Sequence, residues 1–244
     1  MFGDIERFIG RQFPDYWLRT ETRKQAEHAR LIARAEAGNK TVAFEPRTDA
    51  FTAVTELTVL APDNARLLSL LAGACASAGA NIMGAQVSTT LDGAALDTFL
   101  LKREFDEEGE LRRANRIGET IERLVSGKLS VDRLPKPRII RKDSLKAFKV
   151  EPEVVVNNRL SGEFTVLEVS GLDRTGLLFD LTSAISDLAL DIVSAHVTTY
   201  GERAVDVFYV TDIVTARKVT DEARQTAREE ALATRMYGNQ LTNR

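Results

Sequence analysis

The chain has 244 residues, of which 43% are hydrophobic and 28% charged, with a formal net charge of −3. That length allows one or two domains with cores of their own, and the slightly acidic balance argues against a general binder of nucleic acid or acidic membranes, which needs a basic excess. The one cysteine, Cys75, excludes a disulfide framework and a cysteine-rich zinc site.

The opening stretch MFGDIERFIGRQF carries charges every few residues and does not read as a signal peptide. No apolar run approaches the roughly 18 residues that cross a bilayer, so the expected compartment is the cytoplasm. Residues 1–40 read as helical: in ETRKQAEHARLIARAEAG the residues Ala26, Ala29, Leu31, Ile32 and Ala35 suit one face, and Gly38 with Asn39 supplies the stop. Trp17, in FPDYWLRT, reads as a packing anchor. His28 sits among charged residues and reads as a solvated surface histidine. Residues 41–50, with Pro46, read as a linker.

Val54–Leu60 is then a strand candidate, and Asp63-Asn64 marks a turn and a helix N-cap. Leu67–Ala78 reads as a helix with Leu67, Leu68, Leu71 and Cys75 near one face, ended by Gly79. Cys75 is expected to be a small buried filler. Ile82–Thr90 and Ala95–Lys102 read as strands around an Asp92-Gly93 hairpin signal, and a second helix is expected over roughly Arg113–Val125. The stretch 127–150 is basic and broken by prolines, so it reads as an exposed connector rather than a nucleic-acid patch, since only Phe148 supplies an aromatic ring. Glu153–Asn157 is a short strand candidate.

The chain then repeats itself at an offset of 110. Asp63 pairs with Asp173, Leu67 with Leu177, Leu71 with Leu181, Ile82 with Ile192 and Val87 with Val197. Past the hairpin one residue is dropped, and Asp97 pairs with Asp206 and Phe99 with Phe208. A final helix over about Asp221–Met236 closes the second copy. Two copies of strand–helix–strand–strand–helix predict an α+β chain of two ferredoxin-like βαββαβ units in tandem, preceded by a short helical segment. The boundaries expected are 1–45 for the helical segment, 51–126 and 162–240 for the two units, and 127–157 for the linker with a possible returning strand. Such sheets leave edges or a face on which two copies can satisfy each other.

Catalytic equipment is scarce. His28 and His196 are the two histidines, and neither lies in an HxxxH or HExxH pattern. There is no GxxxxGK phosphate loop, no GxGxxG after a strand and no GxSxG elbow. His196 reads as a sheet residue. The informative feature is the turn between the first strand and first helix of each copy. In the second, GLDRTGLL, Gly176 has no Cβ to keep a ligand from the backbone, and the free N–H groups of the helix start suit a carboxylate. Asp173 either caps that helix or holds an ammonium group. Asp191 is expected to face a neighbouring copy across the sheet edge. Such a set suits a zwitterionic amino acid.

These same residues resemble the ACT domains, amino-acid-sensing modules of the ferredoxin-like fold. GLDRTGLLFDLT…LDIVSAHVTTYGERAVDVFYVTD, with an upstream copy ending DGAALDTFLL, is similar to the C-terminal tandem of the bifunctional PII uridylyltransferase/uridylyl-removing enzymes. PDYWLRT…HARLI resembles the end of their HD phosphohydrolase domain. The resemblance implies a glutamine-sensing regulatory region that switches attachment and removal of UMP on PII proteins. It implies ligand-binding positions at Asp173, Arg174, Thr175, Gly176, Leu177, Asp191 and Ile192, and at Asp63, Asn64, Ala65, Arg66, Leu67, Asn81 and Ile82. It implies Mg²⁺ for the full-length enzymes, a PII partner engaged through catalytic domains that this chain does not contain, and no cofactor, metal, nucleic acid or membrane for the chain itself. Alone it is expected neither to uridylylate nor to deuridylylate, because the nucleotidyltransferase motifs and the HD ligands are missing. The chain departs from the family where Arg66 replaces the turn glycine and Ala65 the usual proline, which ranks the second site above the first; Thr175 also stands where proline is usual. A stand-alone tandem-ACT amino-acid-binding protein is the alternative, and an RNA-binding pair of such units is disfavoured by the lack of sheet aromatics.

Overall fold

The structure is a computed structural model that describes residues 2–48, 51–135, 152–220, 229 and 231–233. Three helices come first, α1 (Phe2–Gly10), α2 (Pro14–Arg19) and α3 (Thr22–Ala37). The first unit follows as β1 (Ala43–Thr48), β2 (Val54–Pro62), α4 (Leu67–Ser77), β3 (Ile82–Val87), β4 (Ala94–Lys102) and α5 (Glu107–Val125). The second contains β5 (Glu153–Asn157), β6 (Thr165–Leu172), α6 (Leu177–Asp187), β7 (Leu190–Tyr200) and β8 (Arg203–Asp212). Glu229 and residues 231–233 are helical, and the rest of the final helix expected over 221–236 lies outside the described residues.

All the strands join one antiparallel eight-stranded sheet in the order β1-β2-β4-β3-β7-β8-β6-β5. Within each unit the inner order is ferredoxin-like, but the outer strand differs from expectation. Residues 41–50, read as a linker, contain β1, which lies antiparallel to β2 with Ala43 opposite Leu60 and Thr48 opposite Thr55. Glu153–Asn157, read as a possible returning strand, pairs instead with β6 of the second unit. The outer slot accepts any antiparallel strand. A strand that precedes the unit through a short turn fills it in the same direction as one that returns after the second helix.

Alternation sorts the sheet faces. On one face Leu57, Val59, Phe99 and Leu101 pack with Leu71, Cys75, Ile117 and Ile121 of α4 and α5, and their counterparts Leu167, Val169 and Phe208 pack with Leu181 and Ile185 of α6. On the opposite face of the first unit, Ala43, Leu60 and Leu96 meet Phe8, Tyr16, Leu31, Ile32 and Ala35 of the N-terminal helices. Trp17 anchors there, edge-on to Phe8 and Tyr16. His28 is not solvated as expected: it is buried, with Nδ1 2.7 Å from the Tyr16 hydroxyl and Nε2 3.3 Å from Thr98 Oγ1. The charged neighbours that suggested exposure flank the buried face and pair with the sheet, Lys24 with Glu56 at 2.9 Å and Arg34 with Glu45.

α5 begins six residues before the expected Arg113. Asp106 caps it by accepting the Gly109 N–H at 2.8 Å, and Glu107, Glu108 and Glu110 load its first turn with negative charge. The connector is also less exposed than expected at its start: Leu129, Val131 and Leu134 pack against the core. Residues 136–151 lie outside the described residues.

Candidate functional site

The two units meet edge to edge. β3 pairs with β7 through Gly84 opposite Thr198, Ala85 opposite Val197, Gln86 opposite His196 and Val87 opposite Ala195. His196 therefore sits at the seam, exposed on the face away from α4 and α6. Above the seam α4 packs on α6 with a local two-fold relation. Ser69 Oγ lies 2.9 Å from Ser183 Oγ, and the equivalent positions in the other copies, Phe179 and Gly73, also meet. A Cβ on Gly73 would lie 3.1 Å from the Phe179 ring, so a larger residue there would push the helices apart.

This pairing places each strand–helix turn of one copy beside the start of the second strand of the other. The Asp173–Leu177 turn meets Asn81 and Ile82, and together they line a cavity with Ala72, Ala76 and Asp206. Asn81 Nδ2 donates to Asp173 Oδ2 at 2.7 Å. Gly176 adopts φ 83°, a left-handed conformation open to glycine at little cost, and stands as the N-cap of α6. Asp173 does not cap this helix. Arg174 turns to Asp180 at 2.5 Å, and Thr175 lies in the bend between them. The enclosed volume is about 10 Å³, room for about one water molecule. The bend and β3 are therefore in near contact.

The related turn of the first copy, Asp63–Leu67, lies against the end of α6 and within electrostatic reach of Asp191, but its chemistry differs. Asp191 stands where Asn81 stands in the other site, so a second carboxylate replaces the amide. Burial raises the Asp191 pKa, and the charge of Asp63 raises it further against the opposing Ile192 N–H. Asp63 accepts from Thr89 Oγ1 at 2.9 Å rather than capping α4. Asn64 Oδ1 takes the Arg66 N–H at 3.1 Å, and the Ala65 carbonyl accepts from Ser186. Arg66 keeps a right-handed conformation, φ −110°, and its guanidinium crosses to Asp187 at 2.9 Å. The residues expected at each site are thus brought together across the copies within one chain: the Asp173 turn with Asn81, the Asp63 turn with Asp191.

Two residues that sequence reasoning paired but did not assign to a site stand behind these turns. Asp97 and Asp206 are 1% and 2% exposed on the core side of the sheet. Burial pushes the Asp97 carboxyl up to about 8, with the Ser88 N–H opposing and Asp63 adding to the rise. Burial likewise pushes Asp206 up to about 7, opposed by the Thr198 N–H and reinforced by Asp173. The signal was available: each is an aspartate at an inward position of an alternating strand, where an unpaired charge is costly. Burial also raises Asp173, against hydrogen bonds from Asn81 and the Arg174 N–H. Among the described residues, no three His, Cys, Asp or Glu side chains gather as metal ligands, and no helix is long and apolar enough to cross a membrane.

The ACT domain family matches residues 165–228, the second copy. The chain is 52% identical over 236 residues to the bifunctional uridylyltransferase/uridylyl-removing enzyme of Rhodopseudomonas palustris, covering 94% of the chain and 25% of that relative. It is 51% identical over 230 residues to the enzyme of that name from a Bradyrhizobium species, again 94% of the chain and 25% of the relative. The one from Bradyrhizobium diazoefficiens is 48% identical over 237 residues, 97% of the chain. The chain spans about a quarter of the length of the curated relatives it matches.

Proposed function

This chain matches the C-terminal region of the bifunctional uridylyltransferase/uridylyl-removing enzymes and carries an ACT domain, and from that premise we propose that it is an amino-acid-sensing region for which glutamine is the ligand. The observation that carries this reading is the seam between the copies, where the α6 start, Gly176, Asp173 and Asn81 converge on one cavity. N–H groups at a helix start suit the α-carboxylate of an amino acid. Asp173 and the Asn81 carbonyl oxygen suit its ammonium group.

The first site is the weaker one. Arg66 occupies the bend without the left-handed turn, and Asp191, under the charge of Asp63, replaces the Asn81 amide. One ligand per chain, at the Asp173 turn, is the expected stoichiometry.

The mechanism is linkage. Because the cavity is water-sized, a bound amino acid parts the Asp173 turn from β3 and exchanges the Asn81–Asp173 hydrogen bond for its own contacts. A ligand that binds the parted arrangement more tightly shifts the pair toward it, and a shift from rare to dominant needs several kcal/mol of differential affinity. The helices α1–α3, packed on the back of the first unit, are the route by which such a shift would reach the remainder of the longer relatives. In the longer relatives, modification of PII proteins is the activity that this switch would govern.

Calorimetric titration of the chain with glutamine, beside Gly176→Arg, tests the reading. Saturable heat in the unmodified chain and its loss in the folded variant are expected. Identical heats from both proteins would refute the assigned site.

A further inference from the structure

Asp206 is the residue of this site whose chemistry is unfinished. It lies in β8 opposite Val169 of β6 and Val197 of β7, both core residues, so its side chain points to the helix side of the sheet. The Thr198 N–H lies on the side of the carboxyl and favours its charged form. Oδ1 is buried and has no hydrogen-bond partner among the described residues. Its carboxyl lines the same cavity as Asp173, Asn81 and Gly176. Arg174, the cation among the lining residues, pairs with Asp180 at 2.5 Å, and Lys102 acts on Asp173 from outside the lining. A buried carboxyl oxygen without a donor is costly unless something supplies one.

Resting on the reading of this cavity as an amino-acid site, we propose that Asp206 reads the ligand's side chain. Its free oxygen accepts an N–H from a terminal carboxamide, so the site takes an amide and rejects a carboxylate of the same length. The placement follows from depth. The helix start and Asp173 lie at the partly exposed mouth, where the α-carboxylate and ammonium would be held, whereas Asp206 is 2% exposed and sits behind them. A side chain directed inward from that mouth ends against Asp206. A carboxamide there supplies the missing donor. With Asp206 ionised, a carboxylate there sets one anion against another beside Asp173. Discrimination by a buried group that needs a donor is large, because the rejected analogue leaves that group unpaired.

The test is a pair of calorimetric titrations at pH 8, with glutamine and with glutamate, on the unmodified chain, Asp206→Asn and Asp97→Asn. The unmodified chain is expected to prefer glutamine by at least roughly tenfold. Asp206→Asn, nearly isosteric but able to donate, is expected to lower that ratio by about tenfold or more. Asp97→Asn, the counterpart at the other site, is expected to leave it unchanged. An unchanged ratio in an Asp206→Asn protein that still binds overturns this inference and leaves the site reading intact. Absence of binding by the unmodified chain overturns both. Should Asp206→Asn fail to fold, the γ-methyl ester of glutamate and its isostere N5-methylglutamine decide on the unmodified chain, since they share shape and carbonyl but only the amide carries an N–H. Ester binding as tight as the methylamide's overturns the role of Asp206, and ester binding at least roughly tenfold weaker supports it.

Discussion

Asn81 and Asp173, 92 residues apart in sequence, form a 2.7 Å hydrogen bond across the seam between the two copies. Their counterparts at the related site are Asp191 and Asp63, so one amide in the second site is replaced by a carboxylate in the first. The asymmetry of the two sites rests on that difference together with Arg66 in place of Gly176.

Exchange of these residues is expected to move stability in opposite directions. Asp191→Asn removes a repulsion and restores an amide donor, so a gain on the order of 0.5 kcal/mol is expected at pH 8. Asn81→Asp sets two partly buried carboxylates together and is expected to cost about 1 kcal/mol. Urea denaturation of the two variants checks both, and a destabilised Asp191→Asn would contradict the pairing.

Gly118 lies beneath Phe44 of β1. A Cβ there would approach the ring to within 2.3 Å, so Gly118→Ala is expected to displace Phe44 and cost about 1–3 kcal/mol. The loss should be visible as a lowered melting temperature. Ala in place of Gly stabilises an exposed helix interior, so an unchanged or raised midpoint would show that β1 does not dock on α5 as described.

Stability is expected to fall as pH rises from 6.5 to about 8 and to level off above it. The folded carboxyls of Asp206 and Asp97 titrate at about 7 and about 8, whereas an unfolded aspartate titrates near ~3.9. The folded chain therefore holds more protons through this interval, and the stability present at low pH is lost as pH climbs through the folded values. Asp173 and Asp191, also raised, act in the same direction. His28 acts oppositely and at lower pH. Burial lowers it to about 4, so its contribution is lost as pH falls from about 6.5 toward 4. Urea midpoints over a pH series measure this, with a slope of up to about 1.4 kcal/mol per pH unit for one group. Asp97→Asn should flatten the part between pH 7 and 8, and a wild-type profile that is level there would contradict the assignment.

Cys75 is fully buried, and burial pushes its thiol up to about 12. Iodoacetamide at pH 8 is expected to leave it unmodified in the folded chain and to alkylate it in urea, because the thiolate is the reactive form. Mass spectrometry distinguishes the two, and rapid alkylation of the native protein would place Cys75 outside the core.

Much of this architecture was legible along the chain. The offset of 110 residues revealed two copies, and apolar spacing located α4, α6 and the inner strands. Gly176 marked the bend and Arg66 the departure from it, because the side chain at a single position decides whether a left-handed turn is tolerable. These features are local: they depend on spacing within a dozen residues, which side-chain periodicity records directly. The tertiary structure decided what local spacing does not encode. An outer antiparallel slot can be filled from either end of a unit, so only the packing of Phe44 on α5 and of Val154 and Val156 on the core settled that β1 and β5 occupy those slots. The burial of His28 depended on a sheet face formed 30 to 70 residues later in the chain. The composition of each site depended on β3 pairing with β7, which set Asn81 against Asp173 and Asp191 against Asp63. Contacts between strands so far apart in sequence are chosen by the fit of whole surfaces, and that fit exists only once the chain is folded.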